Sequence, residues 1–354
     1  MSHIILTTGG TGGHIFPALA VAEALKSLDP HLSLLFVGSL WGPEARLCEQ
    51  AGIPFHGLAV RGLLGRGIKA LSAGALMVKA FFSAMALLRQ EKPRVVAGFG
   101  GYASFAPMAA AEMMGIPTLL HEQNALAGTS NRLMGRFVRR IATSLPETEG
   151  FAREKCVFCG NPVRAAVVAA ATQPRSFQRK HLLVFGGSQG AHAINVFMLK
   201  HLSAWKKAGV AIIHQTGERD YGLVKAAYEA EGMSQASVRA FIDDMPATYQ
   251  WADLALCRSG ASTVAELCAS HLPSVLVPFP FAIHDHQTRN AKVLAEAGAA
   301  RLLPETELAG QGFDLVCGLL SEPARLQSMA DSAASLARPL AAQHVAKLIL
   351  ELGA

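Results

Sequence analysis

The chain has 354 residues, 51% hydrophobic and 16% charged, with 32 Lys and Arg against 26 Asp and Glu for a formal net charge of +6. At roughly 150 residues per domain this length predicts two domains, each able to bury its own core. The composition excludes a disordered or low-complexity chain, and the mean hydropathy of +0.29 is high for an ordinary soluble enzyme.

The N-terminus, MSHIILTTGG, opens directly into a strand. It has no basic segment, long apolar run or cleavage site, so a cytosolic chain is expected. Strands are predicted over residues 3–8, 33–37, 94–97, 118–121 and 140–143. In the second half they are predicted over 181–185, 211–215, 238–241, 254–257 and 274–277. These short β-branched runs alternate with helical stretches, the pattern of parallel α/β units.

The segment from Arg61 to Arg94 carries seven basic residues (Arg61, Arg66, Lys69, Lys79, Arg89, Lys92, Arg94) and one acid, Glu91, so it accounts for the whole net charge. It also holds the most apolar stretch of the chain, 68–88. Lys69 and Lys79 lie within that stretch, and a Lys at the centre of a bilayer costs about 2.5 kcal/mol or more, which argues against a spanning helix. On a helix Val78, Phe81, Phe82, Met85 and Leu88 form one apolar stripe, while Leu76, Ala80 and Leu87 make the opposite face apolar too. Two readings follow. One is a well-buried crossover helix; the other is a helix with one side in the core and the other on an anionic membrane.

Asn161-Pro162 and the Ala-rich stretch to Arg179 look like a crossing between domains, placed at 1–163 and 164–339. The last stretch, 322–352, predicts helix broken near Pro339, with a final helix of about 340–354 returning to the first domain. The six cysteines (Cys48, Cys156, Cys159, Cys257, Cys268, Cys317) are scattered, as in a reducing compartment. Cys156 and Cys159 form a CxxC with no second pair at zinc spacing, in a segment, KCVFCGNPV, that reads as a strand running into a loop.

The two halves begin alike: strand, GGTGG (Gly9 to Gly13), helix, and then, half the chain later, strand, GGSQG (Gly186 to Gly190), helix. This repeat predicts two Rossmann-like domains facing each other across a cleft. Strand–glycine–helix junctions offer free N–H groups and a positive dipole to phosphate. Two more are predicted, at Gly98 to Gly101 with Tyr102, and at Ser259 to Ser262. Four in one chain point to phosphorylated ligands. The nicotinamide fingerprint fails, because Ile15 stands where a third glycine belongs and the second strand ends in Val37-Gly38 without an acid. No GK[ST] follows any of the loops, which removes the P-loop reading.

In CRSGASTVAEL, from Cys257 to Leu267, a helix beginning near Thr263 supplies first-turn N–H donors, and Glu266 is placed to accept from ribose hydroxyls. His14 follows GGTGG at a helix start, where the dipole disfavours the imidazolium; that suits a general base. The alternative is a histidine that only satisfies the turn. Asp243-Asp244 and His284-Asp285-His286 match no common metal spacing, and no metal or cofactor is expected.

Nine segments follow one another between His3 and about Ala299: GGTGGHIFPALAVA, RGLLGRGIKAL, GFGGYAS, HEQNALAGTSNR, GNPVR, VFGGSQGAHAIN, FIDDM, CRSGASTVAEL and HQTRNA. Together they closely resemble the bacterial undecaprenyl-diphospho-muramoylpentapeptide β-N-acetylglucosaminyltransferases, the MurG family. The resemblance implies the GT-B architecture and an inverting, metal-independent transfer from UDP-GlcNAc. The acceptor would be the C4 hydroxyl of N-acetylmuramoyl-pentapeptide on undecaprenyl diphosphate. The rival of the same architecture is a UDP-GlcNAc 2-epimerase, against which the basic apolar segment speaks.

By that resemblance Ala261, Ser262, Thr263, Val264, Ala265 and Glu266 hold the nucleotide, with Glu266 on the ribose and Ile242 at the uracil. Ser188 and Arg164 approach the diphosphate, and Asn124, Gln287, Thr11, Gly12 and Gly13 complete the donor-sugar site. His14 is the candidate base, with Glu122 either serving instead or orienting it. Gly100, Gly101 and Tyr102 in one loop, and Arg61, Arg66 and Lys69 in another segment, would take the acceptor. His286 stands before Gln287 where some relatives have a second Gln. A lipid acceptor favours the membrane reading of Lys69, Lys79, Phe81 and Phe82: a protein peripheral on the cytoplasmic face of the inner membrane. No nucleic-acid partner is expected.

Overall fold

The computed structural model describes residues 3–10, 12–60, 69–173, 175–233, 236–282 and 285–354, with the backbone alone for 69–73. The chain divides into two compact units, Met1–Arg164 with Pro339–Ala354, and Ala165–Arg338.

The first unit runs β1 (His3–Thr7), α1 (Gly12–Leu28), β2 (Ser33–Ser39), α2 (Glu44–Gln50), β3 (Phe55–Leu58), α3 (Lys69–Glu91), β4 (Val95–Gly98), α4 (Phe105–Met113), β5 (Thr118–Glu122), α5 (Thr129–Met134), β6 (Arg140–Thr143) and β7 (Cys156–Phe158). The second begins with α6 (Ala165–Ala170), β8 (His181–Phe185), α7 (His192–Lys200), α8 (Leu202–Lys207), β9 (Ala211–Gln215), α9 (Glu218–Ala230) and β10 (Ala236–Arg239). It continues through α10 (Met245–Trp251), β11 (Leu254–Cys257), α11 (Ala261–Ala269), β12 (Ser274–Leu276), α12 (His286–Glu296), β13 (Ala300–Leu302), α13 (Glu305–Leu320) and α14 (Pro323–Leu336). A last helix, α15 (Ala341–Leu352), belongs to the first unit.

Both sheets are parallel. The strand orders are β3-β2-β1-β4-β5-β6-β7 and β10-β9-β8-β11-β12-β13. Each therefore starts in the middle, winds outward, returns, and winds out the other way, the doubly wound order. Central strands are buried on both faces, which is why they read as unbroken apolar runs: β4, β5 and β11 are buried at every residue. The two-domain α/β expectation holds.

Strands missing from the sequence reading, β3 and β13, are edge strands. FHGL and ARL pair on one side only, so neither needs a β-branched apolar run. At another edge, β10 spans Ala236–Arg239, two residues earlier than predicted, because Ile242 has already turned to bond Gln215.

The apolar face of α3 needs a correction. Of the predicted stripe, Met85 and Leu88 are buried, but Val78 and Phe82 are 58% and 62% exposed. The core side is Ala80, Ala84, Leu87 and Leu88, an i, i+4, i+7, i+8 row whose small members let the helix approach α4 closely. The outward side carries Val78 and Phe82 beside the exposed Lys79 and Arg89. Among the described residues no helix is long and apolar enough to cross a membrane.

In the first unit α15 buries Ala342, Val345, Ala346 and Ile349 in the cluster that holds Ile15, Ala18 and Val21 of α1. The helix bearing the first glycine loop is thus packed along its length.

Candidate active site

The doubly wound order makes two neighbouring strands leave in opposite directions, and the crevice at their carboxyl ends is where such sheets bind ligands. In the first unit that pair is β1 and β4, in the second β8 and β11. All four glycine loops predicted from sequence follow these four strands.

In the first unit the two loops press backbone on backbone. Gly101 has φ +80°, and a Cβ there would sit 1.9 Å from the Gly9 carbonyl oxygen. A Cβ on Gly9 would lie 2.4 Å from the Ala103 Cβ. Gly10 N–H donates to Glu44 Oε1 at 3.1 Å, so a fully buried carboxylate at the start of α2 braces the loop from below. Glu44 was not singled out from sequence, and nothing short of the fold brings it beneath Gly10. Tyr102 lies against Gly10, so Gly100, Gly101 and Tyr102 do gather with the GGTGG loop.

His14, in the first turn of α1, points its Nδ1 at Gln123 Oε1, 3.1 Å away. A Cβ on Gly100 would come within 3.2 Å of that same Nδ1, so the second loop needs glycine where it passes the ring. Gln123 is buried and continues inward: its Nε2 donates to the Phe99 carbonyl at 2.8 Å and lies 3.0 Å from His121 Nδ1. His121 Nε2 lies 3.2 Å from Ser144 Oγ. Burial above all pushes the His121 ring down to about 3, with the neighbouring His14 adding to it against a hydrogen bond at Gly160.

Glu122 does something else. Its Oε1 accepts from the backbone and side-chain nitrogens of Asn124 at 3.0 and 3.1 Å, and its Oε2 accepts from Gly128 N and Asn131 Nδ2 at 3.1 and 2.8 Å. A carboxylate offers about four acceptor sites, and four donors use them. Glu122 therefore holds the loop leading into α5, and the residue that touches His14 is the next one along. Asn124 is placed by Glu122, with its amide nitrogen already donating. The Arg164 guanidinium lies 4.8 Å above the Phe16 ring, two residues beyond His14 on α1.

The second unit repeats the tight approach. Gly190 has φ +74°, and a Cβ there would meet the Thr216 carbonyl oxygen at 1.8 Å. Gln215 Nε2 donates to the Gly187 carbonyl at 2.8 Å while its Oε1 accepts from Ile242 N–H at 2.9 Å. One amide thus ties the loop carrying Ser188 to the segment carrying Ile242, and the Ile242 N–H is spent on it.

The first turn of α11 is capped by Gly260, which has no side chain to cover the leading N–H groups. Ala261 to Ala265 are half-buried there, and Glu266 lies one turn in, buried. The Tyr249 hydroxyl donates to Glu266 Oε2 at 2.7 Å and fixes the carboxylate. Sequence reasoning passed over Tyr249, which sits on α10 with no motif of its own. Gln287 opens α12, where its carbonyl accepts from Ser259 Oγ at 2.9 Å and its Oε1 from Phe279 N–H at 2.9 Å.

Several expected residues are not in these groups. Thr11, Arg61 and Arg66 lie outside the described residues, as does the side chain of Lys69. Lys79, Phe81 and Phe82 are on α3, a separate helix from the glycine loops. Among the described residues no three His, Cys, Asp or Glu side chains converge as metal ligands. Asp244 caps α10 by accepting from Ala247 N–H. Burial raises the Cys159 thiol to about 11 and that of Cys156 too, so neither is a ready thiolate.

The sequence profile of the glycosyltransferase family 28 N-terminal domain matches residues 4–143, and that of the family's C-terminal domain matches 181–345. The chain is 48% identical to the UDP-N-acetylglucosamine–N-acetylmuramyl-(pentapeptide) pyrophosphoryl-undecaprenol N-acetylglucosamine transferase of Nitratidesulfovibrio vulgaris strain DP4, across 99% of this chain and 98% of that one. The chain belongs to the MurG family, within glycosyltransferase family 28. Among solved structures it resembles Acinetobacter baumannii MurG, with TM-score 0.75 and 34% identity over 99% of this chain and all of that one. A Listeria monocytogenes structure described as a UDP-N-acetylglucosamine 2-epimerase shares the fold, with TM-score 0.70 at 13% identity over 97% and 94% of the two chains.

Gly101→Ala tests the loop contact. Left-handed backbone strain alone costs about 1–3 kcal/mol, and the Cβ must also displace the Gly9 carbonyl. Hydrogen exchange should show lost protection at residues 7–16 with the second unit unchanged. Unaltered exchange in both units would mean that the loops tolerate separation.

Proposed function

We propose that the protein transfers GlcNAc from UDP-GlcNAc to the C4 hydroxyl of undecaprenyl-diphospho-MurNAc-pentapeptide. The products are the β-1,4 disaccharide lipid precursor of peptidoglycan and UDP. The observation that carries the substrate pair is 48% identity, over nearly the whole of both chains, to a transferase of that name.

The nucleotide belongs to the second unit in this reading. The first turn of α11, with glycine at its cap, offers N–H donors and a positive dipole to the diphosphate, and Glu266, held by Tyr249, takes the ribose hydroxyls. Ser188 and Arg164 approach the diphosphate, and Ile242 meets the uracil. Asn124, Gln287 and the Thr11 to Gly13 loop hold the donor sugar. The first unit serves the acceptor, through Gly100, Gly101, Tyr102 and the segment from Arg61 to Lys69.

In the reaction the acceptor oxygen bonds to C1 of GlcNAc as the bond from C1 to the diphosphate oxygen breaks. His14 takes the C4 hydroxyl proton, and the electron pair leaves with UDP. The departing dianion is stabilised by fixed donors and by Arg164, an arrangement that needs no proton on the leaving group.

Transfer of radiolabel from UDP-GlcNAc to the lipid-linked acceptor should proceed equally with and without EDTA. Release of a free 2-epimer without acceptor would overturn the assignment. His14→Ala should lower turnover by about 10²-fold or more and leave UDP binding by calorimetry intact; near-normal turnover would remove His14 from the role.

The outward side of α3 is the proposed membrane contact. Val78 and Phe82 would enter the headgroup region while Lys79 and Arg89 meet anionic lipid. Binding to phosphatidylglycerol vesicles should weaken with salt. It should also lose about 1 kcal/mol for each of Lys69, Lys79 and Arg89 neutralised. Binding indifferent to those changes would assign α3 to the core alone.

A further inference from the structure

We propose that Gln123 is the positioning residue that fixes the tautomer of His14, holding the ring proton on Nδ1 and leaving the Nε2 lone pair as the proton acceptor. The inference rests on the reading of His14 as base, but its geometry is independent of that reading.

The hydrogen bonds form a chain from the buried interior outward to His14. The Phe99 carbonyl oxygen has no proton to give, so the end of the Gln123 side chain 2.8 Å from it must be the NH₂ group. The same NH₂ lies 3.0 Å from His121 Nδ1, which must then accept. A neutral ring that accepts at Nδ1 carries its proton on Nε2, and His121 Nε2 has an acceptor in Ser144 Oγ at 3.2 Å. His121 is wholly buried and its ring is held neutral, so no second proton upsets the assignment.

With the NH₂ end fixed, the carbonyl end of Gln123 faces His14 Nδ1 at 3.1 Å. An amide oxygen only accepts. His14 Nδ1 therefore donates, and the basic lone pair is placed on Nε2, on the far side of the ring. Among the described residues no hydrogen bond reaches that nitrogen.

A free neutral histidine side chain favours the opposite form, with its proton on Nε2 and no base at that end. Which nitrogen is basic is set by what the other one bonds. Gln123 supplies this partner without a charge, through an amide whose own direction is locked by Phe99 and His121. Glu122, with its acceptor sites filled by Asn124, Gly128 and Asn131, does not supply it.

The test is two-bond ¹H–¹⁵N correlation on protein labelled at its histidine rings, with the His14 signals assigned by their loss in His14→Ala. The native protein at a pH where the ring is neutral should show the Nδ1–H form. Gln123→Met, which keeps the length and removes the acceptor, should shift His14 toward the Nε2–H form. It should also lower kcat by about tenfold or more while KM for UDP-GlcNAc stays near the native value. Gln123→Glu retains an acceptor for Nδ1 and should keep the Nδ1–H form, with kcat above that of Gln123→Met.

A native protein in the Nε2–H form would overturn the proposal, and that measurement needs no variant at position 123 to fold. So would a folded Gln123→Met with native tautomer and native kcat. If the tautomers behave as stated while His14→Ala keeps its turnover, the base assignment falls and the role of Gln123 in setting the ring stands.

Discussion

The structure depends on backbone meeting backbone at the carboxyl ends of four strands. Gly101 against Gly9, and Gly190 against Thr216, are approaches that a single Cβ would forbid, at 1.9 and 1.8 Å. The first contact joins the loops that follow β1 and β4, and the second joins the loop after β8 to the end of β9. They bring the N–H groups of each loop to the end of its sheet with no side chain in the way. The placement of His14 follows from the same constraint, since its ring sits where Gly100 passes and finds Gln123 at the end of β5.

Each unit braces its loop with buried polar groups in place of more glycine. Glu44 accepts from Gly10 in the first, and Gln215 joins Gly187 to Ile242 in the second. A buried polar group left unpaired costs about 1–3 kcal/mol, so such a bracing group favours one loop conformation strongly over its neighbours. Electrostatic stabilisation of a leaving group works best when the donors need not move during the reaction. In the proposed function, bracing the loops serves the chemistry as well as the fold.

Much of this was legible in the sequence, for physical reasons that can be named. Central parallel strands bury both faces, so HIILT, HLLVF and LALC announced themselves. Edge strands do not, and FHGL and ARL went unread. Glycine loops advertise their spacing, and all four were found. The partners that fix them, Glu44, Gln123, Gln215 and Tyr249, are polar residues far from their targets in sequence and carry no local pattern. On α3 periodicity showed two apolar faces but not which one the core would take. The alanines decided it, because a close approach to α4 favours small residues over Val78 and Phe82. Among the described residues of the segment that carries the net charge, α3 thus presents Val78 and Phe82 together with Lys79 and Arg89 on its outward side.

In the proposed function, strand-end loops at a topological switch point, opened by glycine, hold the nucleotide diphosphate without a side-chain cap. A crystal structure of the protein with UDP bound tests it most directly. Diphosphate oxygens are expected at about 3 Å from the leading N–H groups of α11, with the ribose hydroxyls on Glu266. UDP bound elsewhere, with the first turn of α11 left to solvent, would contradict it.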